Sequence, residues 1–405
     1  MYTQRKSYSN RFSRGGRSFG RGSGSRFGRS QRSNPYSSGR IDPTMYISKA
    51  QQEEGSSVYV TDLKFTDYAL AQKLSNNIVY KEYVHPTRIQ ADIIPQILDG
   101  KDVLGVACTG SGKTAAYLIP LINKALKSPN EKCLIIAPTR ELINQIKIEF
   151  AALSFGTNLR DVVIMGGASY YEQIKLIRNN PQFVIATPGR LIDLCDRNKL
   201  DLSTFSNVVL DEVDEMLDMG FVHDVKKIIS KLKTPRQSLF FSATLSRKSE
   251  EIANSLLKDP YKVEIEKQMA VKNVDQDIVK VSNGKNKIDV LHELLVNQEF
   301  KRVLIFSKTK RGAEEVSLEL KKRGLKTDSL HGNKSLGQRT KVLSMFKKYE
   351  IDILVATDVA SRGIDVPDIT HVINYDPPAT AADYIHRVGR TGRMGKKGIA
   401  LTFVR

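Results

Sequence analysis

Short, almost wholly apolar runs recur along this chain, each followed by a longer stretch in which apolar and polar residues repeat with helical spacing. Between residues 102 and 244 the runs read DVLGVA, CLIIAP, VVIMGG, FVIATP, NVVLDE and SLFFSAT. A strand that is apolar on both sides must be covered on both faces, so these runs predict a parallel sheet between layers of helix. From residue 302 the pattern restarts with RVLIFS, DSLHG, DILVATD, HVINYD and GIALTFV, while 309–323 reads as a helix stopped by Gly324. Two α/β domains in tandem follow, 49–266 and 267–405, with the hinge in a segment, 266–273, that lacks a long apolar run. In such sheets ligands bind beyond the carboxyl ends of the strands. The polar motifs of this sequence fall there.

The N-terminal tenth breaks the pattern. Residues 1–40 hold nine arginines and Lys6 with no acid, so they supply +10 of the net +19, and Phe12, Phe19 and Phe27 recur among Gly and Ser. No hydrophobic face offsets the entropy of ordering, and residues 1–48 are expected to be a disordered tail. Arginine with interleaved rings suits attraction to phosphate and stacking on unpaired bases. Its glycine density spoils the amphipathic helix of a transit peptide. The remainder is mildly basic, and 40% hydrophobic content is that of a soluble globular protein. No apolar run approaches the roughly 20 residues of a membrane span. Cys108, Cys133 and Cys195 have no metal or disulfide spacing, which predicts a reducing, cytoplasmic setting. The excess charge favours a polyanionic partner.

The stretch KDVLGVACTGSGKT, 101–114, runs from an apolar strand through a glycine-rich loop into a helix. Ala107-x4-Gly112-Lys113-Thr114 is the phosphate-binding P-loop spacing with alanine in place of the first glycine. Gly110 and Gly112 let backbone N–H groups turn inward around phosphate, Lys113 reaches the outer phosphates and Thr114 a magnesium ion. A second requirement of such a site is a carboxylate at a strand's end. Asp211 and Glu212 follow the apolar run 207–210, so Asp211 is the candidate magnesium ligand and Glu212 the candidate to orient or activate water.

Thr109-Gly110-Ser111-Gly112-Lys113-Thr114, Pro138-Thr139-Arg140-Glu141-Leu142, Thr187-Pro188-Gly189-Arg190, Asp211-Glu212-Val213-Asp214 and Ser242-Ala243-Thr244 follow in the order of the DEAD-box RNA helicases, which the chain resembles over about 60–405. The resemblance implies two tandem RecA-like domains that close on ATP, magnesium and RNA. It makes Pro86-Thr87-Arg88-Ile89-Gln90 the Q motif, with Gln90 on the adenine edge and Phe65 near the base. A side-chain amide offers one donor and one acceptor together, as adenine requires. The RNA path would comprise Pro138, Thr139, Arg140, Gly166, Gly167, Thr187 and Arg190, donors suited to phosphate oxygens. In the second domain, which has no P-loop, Thr357 and Arg362 would lie near RNA and Asp365 near the ribose. Arg390 and Arg393 would be arginine fingers, and His386 would link to the SAT and DEVD segments, in which Ser242 and Thr244 serve coupling.

Three positions depart from the family pattern. Val213 replaces the usual alanine, Arg88 a proline and Glu82 a glycine. The resemblance implies an RNA-dependent ATPase that opens RNA duplexes locally, acting as a monomer with possible ribonucleoprotein or ribosome-assembly partners and no membrane. An RNA clamp and a DNA translocase are the alternatives. The chain ends directly after its last strand, so substrate anchoring is expected from the tail or a partner.

Overall fold

The apolar runs form strands, and their lengths of four to seven residues suit a buried parallel sheet. The computed structural model describes residues 46–50 and 61–404 apart from 109, 266–272, 283, 298–299, 362–365, 367 and 393–395. The arginine-rich segment expected to be disordered lies outside the described residues, as do Thr109, Arg362, Asp365 and Arg393.

The first lobe holds β1 (Val103–Val106), β2 (Cys133–Ile136), β3 (Asp161–Ile164), β4 (Phe183–Ala186), β5 (Asn207–Leu210), β6 (Gln237–Ser242) and β7 (Tyr261–Glu264). They lie parallel in the order β3-β4-β2-β5-β6-β1-β7. The second lobe holds β8 (Val274–Lys280), β9 (Val303–Phe306), β10 (Thr327–Leu330), β11 (Ile353–Ala356), β12 (His371–Asn374) and β13 (Gly398–Val404), in the order β10-β11-β9-β12-β13-β8, again parallel. Each sheet separates two apolar clusters, one per face. The edge strands β7 and β8 have no apolar run in the sequence. β7 is largely solvent-facing and β8 partly so, and polar residues such as Lys262, Asp275 and Asp277 are tolerated there.

Sheet order decides which loops meet. Strands β5, β6 and β1 are neighbours, so the P-loop, the DEVD segment and the SAT segment leave the same half of the sheet's carboxyl edge. Strands β3, β4 and β2 make up the other half and carry Gly166-Gly167, Thr187-Arg190 and Pro138-Arg140. Thr139 caps the helix after β2 by accepting from Leu142 N–H at 3.2 Å, and Pro188 opens the helix after β4.

Gly105 in β1 faces Phe241 in β6, and a Cβ there would lie 2.7 Å from that ring. The missing side chain lets Phe241 lie over the strand against Tyr117, with ring centroids 5.4 Å apart. Tyr117 belongs to the P-loop helix (Lys113–Lys127) and reaches the acidic pair, so this contact sets the helix's height above the sheet. Gly105→Ala is expected to lower the unfolding free energy by about 1–3 kcal/mol through overpacking, seen as a lower denaturant midpoint at unchanged slope.

Candidate nucleotide site and nucleic-acid face

The P-loop turns through two glycines with positive φ, Gly110 at 84° and Gly112 at 93°. Gly112 is required twice over, because a Cβ would also strike the Gln90 amide. Gln90 is buried. Its Oε1 accepts from Thr87 N–H at 2.9 Å and its Nε2 donates to Gly112 C=O at 3.1 Å. The Thr87 hydroxyl donates to Ser111 C=O at 2.8 Å, and Ser111 Oγ to Cys108 C=O at 2.9 Å. The Q motif therefore braces the phosphate loop directly, and one N–H of the Gln90 amide is left for a base. Lys113 is buried and donates to the Ala107 and Cys108 carbonyls, while Thr114 is half-buried one residue on. Phe65 is packed in the core against Tyr68 and Tyr83, so its ring is mostly spent on folding.

Both carboxylates lie inside the protein. Asp211 Oδ2 accepts from the Tyr117 hydroxyl at 3.0 Å, and Oδ1 from Glu212 N–H at 3.0 Å. Burial pushes the Asp211 carboxyl above its ordinary range, opposed chiefly by Lys113. Glu212 is 5% exposed and sits in the left-handed region at φ 52°, ψ 53°, a strained conformation for a side chain of this size. Burial first, and then the Asp211 carboxylate, raise Glu212 to about 7 against the pull of Arg390 and Lys113. Its Oε2 is buried without a hydrogen-bond partner. Val213, expected to add bulk beside these carboxylates, is fully buried among Leu210, Met216 and Phe240. The core of the lobe absorbs its extra methyl groups.

Ser242, Thr244 and His386, expected to serve coupling, meet two acidic residues that were given no such role, Asp214 and Glu215. Asp214 Oδ2 accepts from Thr244 N–H at 2.7 Å and from its hydroxyl at 2.9 Å, and Asp214 N–H donates to Ser242 Oγ at 3.3 Å. His386 of the second lobe meets Glu215, the residue after the DEVD segment, at 2.8 Å. Arg390, in the loop after the helix Ala381–Val388, is buried and lies near enough to Glu212 to influence its charge. Arg387, three residues before Arg390 as Arg390 is before Arg393, is a structural residue: it holds Asp358 in a two-point pair, with one contact of 2.7 Å, and also bonds Asn374 and the Asp376 carbonyl. Spacing alone does not separate Arg387 from Arg390; the resemblance names Arg390, and the fold gives Arg387 to Asp358.

On the other half of the first sheet the residues expected to meet RNA lie together. The Arg140 guanidinium sits over Gly167, where φ is 84° and any Cβ would collide with it. Arg190 donates to Ala168 C=O at 3.4 Å and lies over the Tyr170 ring. Pro138, Thr139 and Thr187 are buried, which leaves the arginines and loop N–H groups as the accessible donors. Glu141 beside Arg140 pairs across the lobes with Arg339 at 2.7 Å, a contact no sequence spacing announced. Thr357 follows β11 and is buried. Glu82, where the family pattern has glycine, sits at φ 58°, which accounts for the usual residue there.

Two family models match the chain: DEAD/DEAH box helicase over residues 87–252 and helicase conserved C-terminal domain over 286–395. An ATP-dependent RNA helicase CshA of Listeria monocytogenes is 42% identical over 84% of this chain and 66% of its own length. The Bacillus subtilis DEAD-box ATP-dependent RNA helicase CshA is 40% identical over 84% of this chain and 69% of its own. The chain thus spans about two thirds of the length of these relatives. The structure of S. cerevisiae Dbp5 bound to RNA and ADP BeF3 is 29% identical and superposes with a TM-score of 0.74, covering 84% of this chain and 89% of that one. By its motifs, its two lobes and these matches, the chain belongs to the DEAD-box family of ATP-dependent RNA helicases.

Proposed function

We propose that closure of the two lobes on ATP and RNA couples hydrolysis to local opening of RNA duplexes or rearrangement of RNA–protein complexes, in the cytoplasm and as a monomer. One observation carries the reading: a buried Glu212 with a carboxylate oxygen unpartnered and a proton affinity near neutrality, facing Arg390 from the other lobe. Glu212 orients the attacking water through that oxygen and takes its proton. Lys113 and the loop N–H groups hold the outer phosphates. Arg390, with Arg393, neutralises charge on the transferring phosphoryl group, so turnover waits for closure. Gln90 reads the adenine edge, Phe65 backs the base from the core, and Asp365 takes the ribose.

Asp211 and Thr114 would hold magnesium, which when bound neutralises phosphate charge. The residues fit it, because burial disfavours the Asp211 carboxylate unless cations are near. Among the described residues no group of three His, Cys, Asp or Glu forms a metal cage. Magnesium needs none, since it takes one or two carboxylates along with substrate phosphates. On the RNA side Arg140, Arg190, Gly166 and Gly167 hold phosphates, with Pro138, Thr139 and Thr187 shaping the loops and Thr357 and Arg362 completing the path. Asp214 ties Ser242 and Thr244 to the acidic segment, and His386 ties that segment to the second lobe. The likeness to Dbp5 bound to RNA and ADP BeF3 supports a closed arrangement, and no described helix is long and apolar enough to cross a membrane.

Steady-state ATP hydrolysis is expected to rise with single-stranded RNA and not with matched DNA, and Glu212→Gln is expected to lower it by about 10²–10⁴-fold. A folded protein with no RNA-dependent turnover overturns the reading. Arg390→Ala is expected to lower kcat by about 10³-fold or more while nucleotide affinity, set by other residues, stays within a few-fold.

The raised Glu212 carboxyl also predicts a pH-dependent stability. Its affinity for a proton goes from an ordinary value of 4.5 unfolded to about 7 folded. Between those values the folded state binds the extra proton, so stability falls as pH rises through the window. Nucleotide-free Glu212→Gln is therefore expected to match wild type below about pH 4.5 and to exceed it above pH 7 by about 3 kcal/mol. Denaturant titration at several pH values measures this, and an advantage already complete at pH 4.5 contradicts it.

A further inference from the structure

Residues 46–50, ahead of the first lobe in the chain, pack on the second lobe. Tyr46 is 3% exposed and belongs to the core of the second lobe, beside Val274, Phe306 and Tyr384. Its ring centroid is 4.9 Å from that of Tyr384, tilted 60°. Ser48 and Gln276 exchange both backbone hydrogen bonds, at 3.1 and 2.7 Å, as an antiparallel bridge on the edge strand β8. Ala50 N–H donates to Asp275 Oδ1 at 2.9 Å. Gln276 in turn accepts the Tyr384 hydroxyl at 2.8 Å, so ring and strand hold the same helix residue from two sides. The chain then returns to the first lobe, entering its core at Phe65.

Tyr384 lies on the helix Ala381–Val388, which presents His386 to Glu215 and ends just before Arg390. We propose that residues 46–50 are a second tether between the lobes, and that Tyr46 is a positioning residue seating the helix that delivers His386 and Arg390 to the nucleotide site. Two chain segments then join the lobes. The stretch from Ile265 to Asn273 spans at most about 29 Å, and that from Ala50 to Thr61 at most about 40 Å. A docked second segment bounds how far the lobes separate and raises the effective concentration of one at the other.

The proposal rests on Arg390 acting from the second lobe, so its test includes a readout independent of that role. The full chain would carry Tyr46→Ala, Tyr46→Phe or Ser48→Pro, the last removing one bridge N–H without touching the ring. Tyr46→Ala is expected to lower RNA-stimulated kcat by about tenfold, equivalent to 1.4 kcal/mol in the barrier. Nucleotide affinity measured with a fluorescent ATP analogue would stay within about twofold, and Tyr46→Phe would restore wild-type turnover. Solution scattering without ligand is expected to show a larger radius of gyration for Tyr46→Ala and Ser48→Pro than for wild type. Wild-type kcat and compaction in both variants would overturn the proposal, as would parallel loss of nucleotide affinity and thermal stability in Tyr46→Ala. If compaction changes while Arg390→Ala leaves kcat intact, the tether stands and the arginine-finger reading fails.

Discussion

Two carboxylates buried side by side at the end of β5 are the constraint around which this molecule is built. Asp211 and Glu212 repel each other in a dry setting, and such a pair persists only where cations and hydrogen-bond donors are close. Lys113 comes from the P-loop, the Tyr117 hydroxyl from the following helix, and Arg390 from the other lobe. Each partner depends on a different part of the fold. The frustration that remains, a carboxylate near neutral affinity with a bare oxygen and a strained backbone, marks the point where chemistry is expected.

The same logic governs the seam between the lobes. Arg339 with Glu141 and His386 with Glu215 are polar pairs in which the glutamate is almost fully enclosed. Breaking such a pair strands a buried charge, whereas its net contribution when made is modest. Contacts of this kind specify one arrangement of the lobes more than they stabilise it. Arg140, next to Glu141, lies over Gly167 on the face expected to bind RNA, so one turn of chain touches both the seam and the RNA side.

Most of the fold was legible because buried parallel strands must be apolar on both sides. The strands β1 to β6, β9 and β11 to β13 announced themselves as apolar runs, whereas β10 is mostly polar. The edge strands β7 and β8 show no run, because part of each faces water. Tyr46 was invisible for a related reason: its partner Tyr384 is hundreds of residues away, and a lone tyrosine beside polar residues carries no periodic signal. Glu82 and Val213 could be seen only as departures. The backbone at φ 58° and the apolar cluster around Val213 supply the reasons.

Sequence alone determined the chemistry available to this protein. A glycine-rich loop between strand and helix, an acidic pair after an apolar run and arginines at fixed spacing are local patterns, and backbone stereochemistry makes them mean the same thing in any chain that folds this way. Tertiary structure decided which of those groups confront one another. Arg387 and Arg390 are alike in spacing, yet one is consumed by Asp358 and the other lies near enough to Glu212 to influence its charge. Strand order put Asp214 against the SAT segment, and lobe closure put Glu141 against Arg339. Burial and proximity between distant segments are properties of the packed chain, and no local pattern encodes them.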